Sequence, residues 1–333
     1  MPSTSVIFTL NNGVKIPAVG FGTFAGDPPD SGACYKSTKK ALDVGYRHID
    51  TGWFYKNEEE VGNAIRDFLA ENDNVTRKDI FVTTKVWSHL KEPDEVRWSL
   101  EDSLRKLKLE YADLFLIHWP FAIEKVDNNT PKEVNGKYVI KKELTDNPRP
   151  TWKAMEELYR EGKCRAIGVS NFLQSQLEDM LSWATVKPTV NQVELHPFLA
   201  QEDLVKFCLE NDILPEAYSP LGSQNQTNVM PKENWGQPGE KVSDNEILNE
   251  VAKRSDNTMA QVLIAWGVKR GYVVLPKSAT PSRIESNFKD IDLSDKDFED
   301  VQEVSRNRRY RFINMKNEFG IDLWPEDSER QGT

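Results

Sequence analysis

Short apolar runs recur along this chain, each followed by a longer segment whose apolar positions fall three to four residues apart. The runs are Ala18–Gly22, Tyr46–Asp50, Ile80–Lys85, Asp113–His118, Arg165–Ser170, Thr189–Glu194, Ile213–Tyr218 and Tyr272–Pro276, eight in all. Near-continuous apolar character in so short a run marks a strand buried on both faces. The intervening segments have the helical period: Lys36–Val44, Glu58–Leu69, Glu95–Leu107, Thr151–Tyr159, Gln176–Trp183 and Gln201–Glu210, with Asn245–Lys253 and Met259–Lys269 both preceding the last run. Strands alternating with helices predict a parallel sheet with crossover connections. Eight of them closing on themselves make an α/β fold of the (β/α)8 TIM-barrel type. An open doubly wound sheet is the alternative. It calls for a glycine-rich phosphate loop after an early strand, and no G-x-G-x-x-G is present.

Three stretches stand outside this rhythm. Residues 5–17 read as a β-hairpin, with Val6–Leu10 and Val14–Ile16 flanking the turn Asn11-Asn12-Gly13. It is expected to cover the amino-terminal end of the barrel. Residues 121–150, with a hairpin signal at Asn135-Gly136, and residues 224–242 are polar insertions after the fourth and seventh runs. Both would lie at the barrel mouth, where long loops act as lids. The tail, 305–333, is irregular and carries Phe312, Phe319 and Trp324. No linker divides the chain, so residues 1–333 are read as one domain.

The apolar runs end alike. Each closes in polar residues: Gly22-Thr23-Phe24, Asp50, Lys85, His118, Ser170-Asn171, Gln192 with Glu194, Glu216 with Tyr218-Ser219, and Lys277-Ser278. One such residue is noise. Eight in step predict a polar site at the carboxyl end of a barrel, where catalytic groups sit. The four histidines divide accordingly. His118 closes a strongly apolar strand and is a site candidate. His48 reads as a hydrogen-bonded core residue, His89 as a loop-surface residue, and His196, before a proline, as structural.

Composition narrows the partners. A net charge of −10 with no basic stripe argues against nucleic acid and anionic membrane. Cys34, Cys164 and Cys208 are odd in number and widely spaced, giving neither a disulfide framework nor a metal set. No signal-peptide pattern and no membrane-length apolar run appears. A cytoplasmic protein is expected, as a monomer or weak homodimer.

The chemistry centres on Gly45–Gly62, GYRHIDTGWFYKNEEEVG. Asp50 ends a strand, Tyr55 lies in the loop after it, and Asn57 is a plausible cap for an acidic first helical turn. Alone, this stretch fits a turn aspartate and a surface tyrosine equally well. With Lys85 and His118 at the same mouth it becomes a site. A lysine ammonium would stabilise the phenolate and lower the Tyr55 pKa, with Asp50 keeping Lys85 charged and oriented. Such a tyrosine is a general acid for a carbonyl oxygen gaining charge, and a base in reverse. A histidine beside it can hold that oxygen by hydrogen bond. A site that protonates an alkoxide but holds no reductant calls for a hydride cofactor.

Taken together, GYRHIDTGWFYKNEEEVG, DLFLIHWP, GVSNF, NQVELHPF, AYSPLGS and LPKSATPSRIESNF resemble the aldo-keto reductase family in sequence and in order. The resemblance runs from hairpin to tail and is nearest to fungal reductases of small aldoses, glyceraldehyde, glycerol or uronic acids. It implies NADP(H) and places Tyr55 as proton donor, Asp50 and Lys85 as its tuning pair, and His118 as the group orienting the carbonyl. It further implies a nicotinamide stacked on Tyr218 and held by Ser170, Asn171 and Gln192, near Thr23 and Asp50. Ser219, Leu221, Ser223 and Asn225 would line the pyrophosphate, and Lys277, Ser278, Thr280, Arg283 and Asn287 the adenosine end. Phe24, Trp53, Trp87, Trp119 and Trp324 would wall the substrate pocket beside Tyr55 and His118. Three positions depart from the pattern: Phe24 where many relatives have tryptophan, Asn225 where some have aspartate, and Ser286 where many have glutamate. The expected substrate is a small polar aldehyde or polyol. Oxidation of a glycerol-type alcohol and a barrel without chemistry, serving as a binding or regulatory subunit, are the competing readings.

Overall fold

The computed structural model describes residues 3–24, 31–222 and 241–325. Eight parallel strands form its central sheet, paired in chain order. They are β1 (Phe21–Gly22), β2 (His48–Asp50), β3 (Phe81–Val86), β4 (Leu114–Ile117), β5 (Ile167–Ser170), β6 (Val190–Glu194), β7 (Leu214–Tyr218) and β8 (Val273–Val274). The sheet closes. Val19 bridges Val274 in parallel. The amides of Gly20 and Val274 donate across this seam to Val274 and Ala18, at 2.9 and 2.8 Å. The open doubly wound alternative is thereby excluded, and the fold is a (β/α)8 barrel.

The strands are short but buried on both faces, which is why the sequence shows runs rather than alternation. The period of two reappears inside the barrel. Phe81, Leu114, Leu116, Val190 and Leu214 form one interior cluster with Leu10 and Ile16 of the hairpin. Two residues further along the same strand faces the side chains turn polar: Thr83 and Lys85, His118, Gln192, Glu216. The barrel is thus an apolar plug at one end and a polar mouth at the other. The plug is sealed by the hairpin, Ile7–Thr9 paired with Lys15–Pro17. Gly13 takes φ +86° in its turn, a conformation that suits glycine. Asn11 and Asn12 donate to backbone carbonyls of Pro188, Asp212 and Arg165, pinning the hairpin under the barrel as expected.

Between the strands run α1 (Ala33–Val44), α2 (Glu58–Glu71), α3 (Pro93–Leu107), α4 (Arg149–Arg160), α5 (Gln174–Trp183), α6 (Glu202–Glu210), α7 (Glu246–Arg254) and α8 (Met259–Lys269). Each expected helix is present with ends moved by a few residues. Three more follow the last strand, α9 (Pro281–Asn287), α10 (Asp295–Asn307) and the single-turn α11 (Lys316–Phe319). The second escaped the periodicity reading, although Ser294 caps it by accepting the Asp297 amide at 3.1 Å. Asn57 sits at the start of α2 but spends its side chain on Thr51 and the Thr23 carbonyl rather than on the helix. It ties the loops after β1 and β2 together.

The insertion after β4 folds as two small antiparallel pairs, Lys125–Asp127 with Thr130–Pro131 and Glu133–Val134 with Lys137–Tyr138. Asn135 and Gly136 turn the second, with φ +53° and +73°. The insertion after β7 lies outside the described residues except for Lys241 and Val242. Of the tail, residues 326–333 lie outside them too. The described tail returns over the mouth, where Phe319 packs on Trp119, Phe121 and Tyr138 with ring centroids 5.0–5.7 Å apart. No helix among the described residues is long and apolar enough to cross a membrane.

Candidate active site

Asp50 closes β2 and Lys85 the neighbouring β3, so their side chains meet inside the mouth. Lys85 is fully buried and Asp50 nearly so. The ammonium donates to Asp50 Oδ1 and Oδ2 at 2.7 and 2.8 Å, to the Thr51 carbonyl at 2.8 Å, and to the Tyr55 phenol oxygen at 3.1 Å. Gln192 Nε2 donates to Asp50 Oδ2 at 2.8 Å from across the barrel. Burial disfavours the lysine's charge, but Asp50 outweighs it and holds the group protonated.

The Lys85–Tyr55 contact has a chemical consequence. An ammonium can only donate, so the phenol oxygen accepts from it and the phenol proton points elsewhere. The expected lowering of the Tyr55 pKa is not the net result. Burial dominates and pushes the phenol up to about 12, with the Lys85 charge pulling against it. Lys85 moderates a rise rather than producing a fall. His118 closes β4 with its ring edge-on to Tyr55 at 5.6 Å and to Trp87 at 5.0 Å. Burial, then the charges of Lys85 and Lys91, hold its pKa well below the usual range, so the imidazole is neutral. Its Nδ1 is buried without a partner among the described residues.

These groups open onto one cavity of about 690 Å³. Its deep end is lined by Tyr55, His118, Phe24, Phe54, Trp87 and Trp119. Along its floor lie Ser170, Asn171, Gln192 and Tyr218, then Ser219 and Leu221, and at its far end Lys277, Ser278, Arg283 and Asn287. Ser170, Asn171 and Tyr218 are knitted together. The Tyr218 hydroxyl donates to Asn171 Oδ1 at 2.8 Å, Asn171 Nδ2 donates to the His118 carbonyl at 3.0 Å, and Ser170 Oγ donates to the Gln192 carbonyl at 2.7 Å. Asn171 and Ser219 hold φ +64° and +51°, sparsely populated values for residues with side chains.

Several expected site residues lie elsewhere. Trp53 is off the cavity wall: its indole N–H donates to Asp102 at 3.0 Å, and Lys56 stacks on its ring. The one-turn helix Trp53–Tyr55 rotates it away and presents Phe54, which stacks on Trp87 at 3.8 Å. Trp324 also stays off the cavity; it packs on Trp119 at 6.0 Å with Arg311 against its other side. Ile313 and Met315 are the tail residues that reach the wall. Thr23 and Thr280 do not line the cavity. Thr23 is buried with its hydroxyl on the Asp50 carbonyl, and Thr280 is exposed at the start of α9. Ser223 and Asn225 lie outside the described residues. His89, expected on the surface, is buried with Nε2 on the Asn128 carbonyl.

Glu194 was expected as a polar strand end but not as an anchor, and Lys91, Met259 and Leu263 were not expected at the site at all. Buried Glu194 accepts the amides of Phe312 and Ile313 at 2.7 and 2.9 Å and pairs with His196 at 2.9 Å, fixing the tail that brings Ile313 to the wall. Lys91, 4% exposed, donates to the Trp119 carbonyl at 2.6 Å, and burial lowers its pKa to about 7. Met259 and Leu263, one turn apart on α8, extend the cavity beside Arg283. Their helical spacing was visible; that the shared face meets a cavity was not.

Comparison with known proteins agrees with this geometry. The aldo/keto reductase family model matches residues 18–306. The chain belongs to the aldo/keto reductase family. It is 57% identical to the glycerol 2-dehydrogenase (NADP(+)) of Hypocrea jecorina over 97% of this chain and 99% of that one. It is 41% identical to the aldo-keto reductase family 1 member A1 of Xenopus tropicalis, covering 91% and 89%. The aldose reductase structure from Giardia lamblia superposes with a TM-score of 0.82 at 35% identity, covering 92% of this chain and 98% of that one.

Proposed function

We propose that this aldo/keto reductase interconverts small polar aldehydes and their alcohols with NADP(H), and that Tyr55 is the proton donor in reduction. The observation that carries the reading is the 3.1 Å Lys85–Tyr55 contact, which leaves the phenol proton directed away from the lysine at the edge of a cavity. NADPH, when bound, supplies the hydride. The chain's own part is to hold the carbonyl and deliver the proton. His118, neutral and beside Tyr55, donates to the carbonyl oxygen and so keeps it within reach of the phenol. Lys85 stabilises the phenolate left behind, and Asp50 keeps Lys85 charged. In the oxidising direction the same phenolate accepts the alcohol proton.

The residues present fit the cofactor. Tyr218 offers an aromatic face on the cavity floor with its hydroxyl fixed by Asn171. Lys277 and Arg283 place two cations and Ser278 a hydroxyl at the far end, the donor set for the 2′-phosphate that distinguishes NADPH from NADH. The wall of Phe24, Phe54, Trp87 and Trp119 confines the substrate end and suits three- to six-carbon aldehydes better than steroids. A second reading, alcohol oxidation as the physiological direction, is supported by the name of the Hypocrea jecorina relative. NADPH oxidation followed with glyceraldehyde, and NADP+ reduction with glycerol, tests both. A protein that turns over neither, yet reduces a steroid ketone rapidly, would refute the substrate class.

A further inference from the structure

Glu216 is the one acidic residue of β7, and its position is unusual. It is fully buried within the barrel, and neither carboxylate oxygen has a hydrogen-bond partner among the described residues. It lies level with Gln192 on β6, whose amide holds Asp50, and with Val273 on β8. From β2 it faces His48, whose Nε2 is 3.5 Å from Glu216 Oε1. His48 Nδ1 lies 3.4 Å from the Pro17 carbonyl, an acceptor, so Nδ1 carries the proton and Nε2 accepts from the Thr83 hydroxyl at 3.2 Å. Glu216 therefore receives no proton from His48, and an ionised Glu216 would set its charge against the lone pair of Nε2; the uncharged acid avoids this. Burial and Asp50 from β2 favour the uncharged acid, Lys85 from β3 and the Gln192 amide from β6 favour the charged form less strongly, and Tyr55 in turn senses Glu216. Val273 and Leu275 bring no charge from β8.

A second carboxylate here would sit in a dry interior beside the Asp50–Lys85 pair. We propose that Glu216 is a positioning residue for the proton donor: held as the uncharged acid it leaves Asp50 the only negative partner of Lys85, and its ionisation switches Tyr55 to a poorer acid. Burial first, then the Asp50 charge, raise its pKa to about 8, so the switch falls at the alkaline edge of the physiological range. The added negative charge holds the phenol proton more tightly, which slows its delivery to a carbonyl. Reduction therefore declines on the alkaline side before Tyr55 itself titrates. No atom of Glu216 touches substrate in this scheme; it acts through Lys85 and Tyr55.

The inference rests on Tyr55 as proton donor, and the two are tested separately. Glu216→Gln keeps the shape and neutrality of the protonated acid, and Glu216→Leu removes the ionisation without a polar group. In either variant, the ratio of kcat/KM for glyceraldehyde reduction at pH 9 to that at pH 6.5 should rise about tenfold over wild type, as one ionisation leaves the profile. Thermal denaturation gives a second readout. A carboxyl whose folded pKa is raised loses stability as pH climbs from the ordinary glutamate range through about 8, so Tm of Glu216→Gln minus that of wild type should grow with pH. A merely structural role lowers activity and Tm equally at every pH. A wild-type-like pH ratio in a folded variant overturns the inference. An active Tyr55→Phe enzyme instead overturns the underlying assignment, whatever Glu216 does.

Discussion

The two ends of the cavity carry charge in opposite ways. At the deep end buried Asp50 and Lys85 and half-buried Tyr55 are joined by contacts of 2.7–3.1 Å, each group's ionisation set by its neighbours. At the far end Lys277 and Arg283 are exposed, and among the described residues neither side chain meets an acidic partner. The first arrangement is preorganised: charges are fixed before anything binds, in a medium where each interaction is strong. The second holds cations in water, where they cost little to keep and gain a partner only when an anion arrives. Chemistry needs the former, since a misaligned proton donor loses rate. Recognition of a phosphate tolerates the latter.

Breaking the deep end should have the largest effect. Tyr55→Phe removes the phenol proposed as proton donor, and kcat should fall by about two to four orders of magnitude while cofactor affinity is nearly retained. Single-turnover kinetics with a Kd measurement for NADPH checks both halves; near-normal turnover in folded protein would remove Tyr55 from the mechanism. Asp50→Asn strips a fully buried ammonium of its counter-charge. Stability should drop by about 3–5 kcal/mol, read as a lowered urea midpoint. A variant as stable as wild type would mean that Lys85 is not held charged by Asp50.

The far end should respond more gently and more selectively. Arg283→Ala should weaken NADPH by about 2 kcal/mol, roughly thirtyfold in Kd, and barely change NADH. Equal losses for the two cofactors would show that Arg283 does not read the 2′-phosphate. The smallest effect is expected just outside the cavity. Trp53→Phe loses the hydrogen bond to Asp102, about 1 kcal/mol of stability, and leaves kcat/KM for glyceraldehyde essentially as it was. A large KM change there would put Trp53 back on the substrate wall.

The same contrast explains what could be read from the sequence. Barrel strands are buried on both faces, so their apolar runs and polar ends are written locally, and Asp50, Lys85 and His118 were legible as strand termini. The hairpin was legible because Asn11-Asn12-Gly13 allows few other conformations. Side-chain direction in the loop after β2 was not: a single turn of helix decides that Phe54 rather than Trp53 faces the cavity, and both are aromatic. Nor was the net pKa of Tyr55. The lysine was foreseen, but the depth of burial that outweighs it is a tertiary quantity. The burial of His89 and the anchoring role of Glu194 were hidden for a related reason. Their partners, Asn128 and the amides of Phe312 and Ile313, lie far along the chain.

Glu194's hold on the tail sets an order in time. The seam between Val19 and Val274 cannot close until Val274 has been made, and the wall still lacks Ile313 and Met315 until residues 313–315 have docked. Early strands must therefore wait with one edge unpaired while synthesis proceeds, a period in which exposed edges invite aggregation. Asp50, Tyr55, Lys85 and His118 are all made before residue 120, but the wall around them is finished only by Ile313 and Met315. A ribosome that stalls between residues 275 and 312 would leave a barrel able to close but with the wall beside Tyr55 unfinished.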